Sequence, residues 1–429
     1  MDIDQQQRIL DAVDKRFDEQ VSFLTELVSH PSTRGNEQSA QQFMAEQLKK
    51  RGYETDVWNV DVKDIADLPG FSPVIGGYDD AINVVGLYKS QSRRGRTLIL
   101  NGHIDVVPTG PHDMWDTPPF EPVVNGDWMT GRGAGDMKGG VVANLFALDA
   151  LRDAGFRPAA DVFFQSVVEE ECTGNGALAC LQRGYQADAA IIPEPFHEQL
   201  IAAQIGVIWM QVHLRGIPVH VLEAGSGVNA IEAAIPLIAA LRELEVRWNA
   251  ADKHQAYEHV DHPLNLNIGR IEGGDWASSV PAWCCFDVRM AVYPGQDLSE
   301  ARAELEACIH DATRGDDFLR QNSPKIVYHG FLAEGYALAE HDKPEAREAI
   351  AALQSAHKTV TGNELVHSPV TATTDARFFG LYADIPALVY GPAAEAIHGF
   401  NERLNIESMR RVTKSIALFI AGWCGLEKY

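Results

Sequence analysis

The sequence predicts an α/β protein in which a doubly wound, mostly parallel sheet is interrupted by a small α+β insert. Predicted strands and helices alternate from about residue 82 to residue 204 and again after residue 332, as in layered α/β folds. Between them, residues 205–331 show a β-α-β-β-α-β order, which is typical of a ferredoxin-like unit. We therefore expect one discontinuous domain, residues 1–204 and 332–429, around an inserted domain, residues 205–331.

The first half of the chain supplies most strands of the predicted sheet. Two amphipathic helices are predicted between residues 5 and 52, with a break at Pro31. The strands that follow are "INVVGLY", "RTLILNGHIDVV", "DVFFQSVV" and "DAAIIPEP". The second of them is apolar on both faces, like an interior strand of a covered sheet. A long loop rich in Pro, Gly, Asp and Trp spans residues 108–136, and a helix after it ends at Gly155. Long ordered loops tend to be functional.

The pattern changes near residue 205. "GVIWMQVHLRG" alternates like a half-exposed strand, and "GVNAIEAAIPLIAALRELE" is an amphipathic helix. Two strands, a second helix and the closing strand "KIVYHGF" complete the predicted insert. Helix–strand alternation then resumes and ends in the helix "NIESMRRVTKSIALFIAGWCG".

The composition combines a sizeable apolar fraction with a strong negative charge. The chain has 45% hydrophobic residues, 36 Lys and Arg against 60 Asp and Glu, and a net charge of −24. This excess argues against binding to nucleic acid or to an anionic membrane surface. The acidic start lacks a secretory leader and no run of 18 apolar residues occurs, so we expect a cytoplasmic protein. The six cysteines form no C-x-x-C pair, which predicts reduced thiols.

Histidine and acidic residues fall at the ends of predicted strands or in the loops beside them. They are His103 with Asp105, Asp136, the glutamates at 169–171, Glu194 and His398. In an open α/β sheet such points meet at one edge. Histidine and carboxylate ligands without cysteine suit a zinc-type catalytic site whose open positions hold water.

Eight motifs carry a resemblance to a known family. In chain order they are "NGHIDVVP", "GRGAGDMKGG", "VEEECTGNGA", "IIPEP", "HVLEAGSGVNAI", "SSVPAWCCFDVR", "TTDARFF" and "IHGFNE", spanning residues 101–402. On these residues the chain resembles the zinc-dependent family of aminoacylase, acetylornithine deacetylase, succinyl-diaminopimelate desuccinylase and glutamate carboxypeptidase. The resemblance implies a catalytic domain with a co-catalytic dizinc site and an inserted lid and dimerisation domain.

The resemblance also implies which residues hold the two metal ions, Zn²⁺ with Co²⁺ or Mn²⁺ as substitutes. The implied ligands are Asp136 bridging both ions, His103 and Glu194 on one ion, and Glu171 and His398 on the other. Two such ions can polarise a carbonyl and lower the pKa of a bridging water. In the family the peptide after the bridging aspartate is cis, which here is the bond from Asp136 to Met137.

Further catalytic residues follow from the same motifs. Glu170 would be the general base, and strand alternation would direct it away from Glu169 and Glu171. Glu169 would be a supporting, hydrogen-bonded carboxylate. Asp105 lies two residues beyond His103, so its carboxylate is expected to accept the proton of the second ring nitrogen and orient the ligand.

His220 matches the lid-domain histidine of the family. There it helps to stabilise the tetrahedral oxyanion and can come from the partner subunit of a dimer, so we expect a homodimer through the insert. Val221 and Leu222 stand where the family has small hydroxyl residues, and Ala224 where it has proline. The shape of the adjoining pocket is therefore expected to differ.

Four residues are expected to contact the substrate. Arg289 and Arg377 can each grip a carboxylate with two hydrogen bonds, and a structural salt bridge is the alternative for each. Ser278 stands where the family often has asparagine, which weakens the case for a contact with a substrate amide. Thr374 belongs to the "TTDARFF" motif.

The sequence thus predicts a cytosolic, zinc-dependent amidohydrolase that cleaves an N-acyl amino acid and is of the deacetylase or desuccinylase type. Three alternatives stay open. One is a dipeptidase, aminopeptidase or carboxypeptidase with the same site. Another is a catalytically silent binding protein, although all six ligand and base positions are filled. The third is a thiol hydrolase that uses Cys172.

Overall fold

Strands and helices alternate through the computed structural model, which describes residues 1–338 and 343–429. The strands are β1 (Glu54–Asn59), β2 (Ile82–Tyr88), β3 (Leu98–His103), β4 (Val123–Asn125), β5 (Trp128–Thr130), β6 (Phe156–Pro158), β7 (Val162–Val167), β8 (Ala190–Ile192), β9 (Leu200–Gln204), β10 (Gly206–Arg215), β11 (Leu266–Gly273), β12 (Trp283–Val292), β13 (Lys325–Ala333), β14 (Tyr336–Ala337), β15 (His367–Val370), β16 (Ala387–Val389), β17 (Ala394–Glu395), β18 (Arg403–Asn405) and β19 (Leu426–Lys428). The helices are α1 (Ile3–Lys15), α2 (Phe17–Val28), α3 (Gln38–Lys50), α4 (Val62–Ile65), α5 (Gly139–Asp153), α6 (Asn175–Gln182), α7 (Ala230–Ala250), α8 (Leu298–Ala312), α9 (Asp317–Gln321), α10 (Pro344–Thr361) and α11 (Ile406–Trp423). Within these described ranges, no helix has the length and apolar character needed to cross a membrane.

The central sheet contains nine strands of the described chain. Their order is β1-β2-β7-β3-β8-β16-β9-β14, and β15 pairs with β9. The middle strands β7, β3, β8 and β16 run parallel, whereas antiparallel pairs flank them. β3 is buried along its whole length, as its apolar sequence predicts. The predicted α/β class is confirmed.

Helices cover both faces of this sheet. α5 packs against α1, α2 and α11 and is buried on nearly all sides, which suits a helix that is apolar around its circumference. Val84 and Val85 are neighbours on β2, so their side chains point to opposite faces of the sheet. They belong to different apolar clusters, and the cluster of Val85 includes Cys180 of α6. The sequence predicts one helix before Pro31, but the structure has two, α1 and α2. Arg16 is the C-cap residue of α1 and the N-cap residue of α2.

The chain between β9 and β14 forms a second sheet. Its order is β11-β12-β10-β13, antiparallel throughout. α7 packs on its strands and on α8, and the resulting apolar core is distinct from that of the central sheet. The β-α-β-β-α-β order predicted for the insert is confirmed.

A bulge in β13 docks this insert onto the main part of the chain. The pairing of β10 with β13 shifts register next to Trp209, and Gly330 there has a left-handed φ of +68°. Its N–H donates to the carbonyl of Pro73 at 2.7 Å, and the N–H of Leu332 donates to Ser72 Oγ at 3.1 Å. The insert is therefore held against the loop that contains Ser72 and Pro73.

A small sheet brings two distant segments together at one edge of the structure. Its order is β17-β18-β5-β4, so part of the predicted loop 108–136 is a short hairpin. Because β18 pairs with β5, the segment between β17 and β18, which includes His398, lies beside the start of α5.

Candidate active site

The candidate residues converge at the carboxyl edge of the parallel strands. His103 is the last residue of β3, and Glu194 follows β8. The glutamates at 169–171 follow β7, His398 lies in the segment after β16 and β17, and Asp136 lies just before α5. Neighbouring parallel strands end at the same edge, which is where sites of open α/β sheets form.

Three carboxylates lie near Nε2 of the buried His103. Its Nε2 lies 3.2 Å from Asp136 Oδ1, 3.7 Å from Glu170 Oε2 and 3.8 Å from Glu194 Oε1. Burial raises the pKa of the Glu170 and Glu194 carboxyls well above the ordinary value. So many buried acidic groups around one imidazole favour a bound cation.

His398 completes a second group of ligand atoms. Its Nε2 lies 3.1 Å from Glu171 Oε2 and 3.4 Å from Asp136 Oδ2. Asp136 therefore directs one oxygen to His103 and the other to His398. A carboxylate placed in this way can bridge two metal ions, which a histidine cannot do.

Two overlapping groups of side chains could each hold a divalent cation. Ligand atoms lie within 4.8 Å of one another in the set His103, Asp136 and Glu171, and also in the set His103, Glu170 and Glu194. Glu194 Oε1 is buried and has no hydrogen-bond partner among the described residues, so an electropositive ligand would satisfy it. Nitrogen and carboxylate donors without thiolate suit zinc or a similar transition metal.

Glu170 and Glu194 lie at similar distances from His103, so these distances do not separate a base from a ligand. Their access to the cavity distinguishes the two residues. Glu170 lines the cavity together with Glu171 and His398, whereas Glu194 does not. This position suits Glu170 for proton transfer to a substrate.

Glu169 has a different environment from the two glutamates that follow it. β7 ends at Val167, so the glutamates lie in a turn, and Glu169 has a left-handed φ of +69°. Strand alternation therefore does not orient them, contrary to the sequence-based prediction. Glu169 Oε1 pairs with Arg34 at 2.7 Å, and Oε2 accepts from Thr173 Oγ1 at 3.2 Å. A protein cation, which the sequence analysis missed, thus offsets this charge.

Cys172 is hydrogen-bonded to Glu169 and buried. Its Sγ lies 3.3 Å from Glu169 Oε2, and burial raises the pKa of its thiol well above the ordinary value. A thiol held in its neutral form is a poor nucleophile, which argues against the thiol hydrolase alternative.

Asp105 supports the site in a different way from the one predicted. His103 Nδ1 donates to the main-chain carbonyl of Asp105 at 2.8 Å, whereas the carboxylate Oδ1 is 3.7 Å away. The carboxylate instead accepts from the N–H groups of Glu170 at 3.3 Å and Glu171 at 3.1 Å. The carboxylate of Asp105 thus holds the turn that contains Glu170 and Glu171. Its main-chain carbonyl holds the imidazole of His103.

A buried ion pair holds the bridging aspartate in place. Glu402 Oε1 accepts from the N–H groups of Gly135 and Asp136, both at 3.0 Å, and Oε2 pairs with Arg132 at 2.6 Å. The peptide from Asp136 to Met137 is cis, as the resemblance implies. Glu402 lies in the "IHGFNE" motif and Arg132 in "GRGAGDMKGG", but neither residue was predicted to be functional.

Asp375 is a further acidic residue at the site and was not predicted from the sequence. It is buried, and both carboxylate oxygens lack a hydrogen-bond partner among residues 1–338 and 343–429. Burial raises the pKa of Asp375 to about 7, and its carboxyl interacts electrostatically with His103. Its place in the "TTDARFF" motif is the signal that could have identified it.

A cavity of about 910 Å³ lies between this cluster and the insert. Of the four predicted substrate residues, Arg289 lines it. The Arg289 guanidinium donates to the carbonyls of Asn265 at 3.1 Å and Thr371 at 3.3 Å, and burial lowers its pKa to about 10. It faces the cavity as a cation.

The other predicted substrate residues lie off the cavity, so the prediction is corrected for each. Arg377 is fully buried and donates to the carbonyl of Thr173 at 2.8 Å. Thr374 Oγ1 donates to Gln204 at 2.6 Å, and it is the preceding Thr373 that lines the cavity. Ser278 is exposed on the insert. Sequence position did not reveal that these side chains point into the fold or into solvent.

His220 is also outside the cavity of its own chain. It is exposed and pairs with Ser279 through the main chain, and its Nδ1 accepts from the N–H of Leu222 at 3.1 Å. Within one chain the structure does not bring His220 to the metal ligands.

Comparisons with known proteins agree with this geometry. Residues 99–422 match the model of Peptidase family M20/M25/M40. The chain is 32% identical to an N-formyl-4-amino-5-aminomethyl-2-methylpyrimidine deformylase of Halalkalibacterium halodurans over 98% of both chains. It is 25% identical to a succinyl-diaminopimelate desuccinylase of Alkalilimnicola ehrlichii over 94% of this chain and 100% of that one.

A solved structure shares the fold. The di-peptidase Dug1p of Saccharomyces cerevisiae superposes with a TM-score of 0.80 and 17% identity over 98% of each chain. The family match covers most of the sequence, and the candidate ligand residues meet at the carboxyl edge of the parallel strands. The chain is a hydrolase of linear amides and belongs to Peptidase family M20/M25/M40.

Proposed function

We propose that this protein is a zinc-dependent deacylase that hydrolyses an N-acyl amide to a carboxylate and a free amine. The observation that supports it most strongly is the placement of Asp136, whose two oxygens face His103 and His398. Asp136, His103 and Glu194 would hold one ion, and Asp136, Glu171 and His398 the other. Two bound cations would supply Lewis acidity toward the amide carbonyl and lower the pKa of a water molecule.

Glu170 is the proposed general base. Its carboxylate faces the cavity, and its main-chain N–H is held by Asp105, so the side chain starts from a fixed backbone. Glu170 takes the proton of the attacking water and delivers it to the leaving nitrogen, which avoids release of an amide anion.

The homodimer would form through the insert, which we propose comprises residues 205–331. Large apolar side chains are exposed there: Leu222 85%, Trp276 73%, Val246 63%, Ile235 62% and Ile271 51%. β11 is an edge strand, and exposed apolar patches beside an unpaired edge favour association. A second copy could then bring its His220 to the oxyanion side of the cavity.

The dimer is tested by Ile235→Asp, which places a charge in this surface. We expect a dimer for the natural chain and a monomer for the variant in sedimentation velocity, with metal content unchanged and hydrolysis reduced. A fully active natural monomer would overturn this part of the proposal.

The cytoplasmic location we propose is supported by cysteines that are all free in the described chain.

Two substrate classes are supported by different observations. Arg289 on the cavity wall favours an N-acyl amino acid, whose carboxylate the guanidinium can bind. The relatedness to the Halalkalibacterium halodurans deformylase favours an N-formyl aminomethylpyrimidine. A dipeptide is a weaker candidate, since the di-peptidase Dug1p shares the fold at 17% identity.

A substrate panel on the zinc-loaded protein tests the proposal. The panel contains N-formyl, N-acetyl and N-succinyl amino acids, the N-formyl aminomethylpyrimidine and matched dipeptides, and kcat/KM is measured for each. We expect at least one N-acyl compound to exceed every dipeptide. Hydrolysis of dipeptides alone would contradict the deacylase assignment.

A further inference from the structure

A guanidinium lies directly behind the turn that carries the proposed base. Arg34 Nε is 2.7 Å from Oε1 of Glu169, whose side chain is only 3% exposed. Glu169 is the residue before Glu170, so this ion pair lies one residue from the proposed base. The contact joins the N-terminal part of the chain to the turn after β7.

Glu169 determines the shape of this turn. Its φ of +69° is left-handed, which costs ~1–2 kcal/mol for a residue with a Cβ and persists only where contacts enforce it. The Glu169 carbonyl accepts from the N–H groups of Thr173 at 2.9 Å and Gly174 at 2.7 Å. The backbone of Glu170 starts from this conformation, so the direction of its side chain depends on how firmly Glu169 is held.

Arg34 is held beside the other residue that supports the turn. The N–H of Val106 donates to the carbonyl of Ser32 at 3.0 Å, so the segment before Arg34 runs along the end of β3. Asp105 precedes Val106, and its carboxylate accepts from the N–H of Glu170. The turn is therefore held from one common support, through the main chain by Asp105 and through a side chain by Arg34.

Tyr78 encloses the guanidinium on another side. Arg34 Cζ lies 6.0 Å from the centroid of the Tyr78 ring, and the Tyr78 hydroxyl is 3.0 Å from Thr173 Oγ1. Thr173 Oγ1 in turn donates to Glu169 Oε2 at 3.2 Å. Arg34 is not among the residues that line the cavity, so the contact through which it can act on the reaction is the one with Glu169.

We infer that Arg34 is a positioning residue for the general base: it holds the carboxylate of Glu169 behind the turn and thereby fixes the direction of Glu170. The inference rests on the proposed deacylase function. Without the guanidinium, Glu169 is a buried anion without its partner, which is strongly unfavourable. The turn then relaxes toward solvent and displaces Glu170. A displacement of about 1 Å can cost ~10²-fold in rate.

Arg34→Met tests this role, because it removes the charge and keeps a side chain of similar length. The zinc-loaded variant is assayed with the best N-acyl substrate, and its metal content is measured by mass spectrometry. We expect kcat to fall by about 10-fold, with KM unchanged and both metal ions retained. Glu169→Gln keeps the shape of the side chain and is the second variant, with the same expected loss.

Two further variants separate positioning from a general effect on the fold. If Arg34 acts through Glu169, the double variant Arg34→Met with Glu169→Gln should lose no more kcat than either single variant. Arg34→Lys keeps a cation near Glu169 and should recover most of the kcat that Arg34→Met loses.

Arg157→Met is the matched control. Arg157 Nε lies 3.0 Å from Glu427 Oε1, and the two side chains are 23% and 9% exposed, against 29% and 3% for Arg34 and Glu169. Arg157 belongs to β6, which precedes β7, whereas the glutamates follow β7. The control should lower the melting temperature and leave kcat unchanged.

The outcomes separate the two proposals. An unchanged kcat in Arg34→Met, additive losses in the double variant, loss of metal, or an equal loss of kcat in Arg157→Met would overturn the positioning role while hydrolysis by the natural protein stands. Absence of hydrolysis of every N-acyl compound by the natural protein would instead contradict the proposed function.

Discussion

The glutamates at 169–171 are consecutive in the chain but meet three different environments. Glu169 pairs with Arg34, Glu170 faces the cavity beside His103, and Glu171 contacts His398. A tight turn after β7, fixed by the carboxylate of Asp105, separates them. Mutual repulsion is thereby relieved by one guanidinium and, in the loaded protein, by the metal ions.

Substitution of these glutamates by glutamine distinguishes their roles. Glu170→Gln should keep both metal ions and lose turnover by ~10²–10⁴-fold, the usual contribution of a general base. Glu171→Gln should lose metal from one site, because it removes a charged ligand. Metal content by mass spectrometry and kcat are measured together. If Glu169→Gln were as damaging as Glu170→Gln with metal retained, the assignment would be shifted by one residue.

The pair of Arg132 and Glu402 gives a stability prediction. Both side chains are almost fully buried. Glu402 also accepts hydrogen bonds from the N–H groups of Gly135 and Asp136. Arg132→Met leaves a buried charge without its partner, which destabilises proteins by ~3–5 kcal/mol. We expect this loss in the free energy of unfolding measured with urea.

Arg403→Met is the matched control for this substitution. Arg403 pairs with Glu395, and both side chains are about half exposed, 45% and 47%. Solvent screens such a pair, so its loss should cost less than ~1 kcal/mol. Equal losses in the two variants would contradict the structural role given to Arg132.

At the scale of elements, the site depends on how closely α5 approaches the end of β8. Glu194 follows Pro193 at this strand end, and a Cβ at Gly140 would lie 2.0 Å from the Pro193 carbonyl oxygen. The start of the helix and the loop carrying a metal ligand thus touch through main-chain atoms. Only a glycine allows this contact without displacement of the loop.

Gly140→Ala should therefore move Glu194 and weaken metal binding. Zn²⁺ affinity, measured by competition with a chelator, is expected to fall by ~10–100-fold, as for other changes that disturb the support of a ligand. Gly422→Ala in α11 is the control, because nothing lies within 4 Å of its Cβ. It should stabilise the protein by ~0.5–1 kcal/mol and leave Zn²⁺ affinity unchanged. An unchanged Zn²⁺ affinity in Gly140→Ala would mean that the contact with Pro193 does not hold Glu194 in place.

For the whole molecule, the sequence was sufficient for the fold class and for the convergence of the candidate ligand residues at one edge of the sheet. Apolar strands followed at once by His or acidic residues placed His103, Glu171 and Glu194 at one edge, because parallel strands end together. The order of elements in the insert followed from its alternating and amphipathic patterns.

What the sequence did not reveal depends on side-chain direction and on packing between distant segments. Arg377 and Thr374 share a motif with Asp375, yet the side chains of Arg377 and Thr374 form hydrogen bonds inside the fold. The cavity exists because β13 docks on the loop at Pro73, a contact between residues far apart in the chain. Trp209 and His329 could not be recognised as cavity residues without it.

The dependence of hydrolysis on bound metal is the decisive property of this site. The natural protein is freed of metal with a strong chelator, dialysed, and assayed for hydrolysis of its best N-acyl substrate before and after addition of Zn²⁺ or Co²⁺. We predict loss of hydrolysis without metal and recovery as two ions bind per chain. Full activity of the metal-free protein would contradict the claim that this edge of the sheet is a dinuclear metal centre.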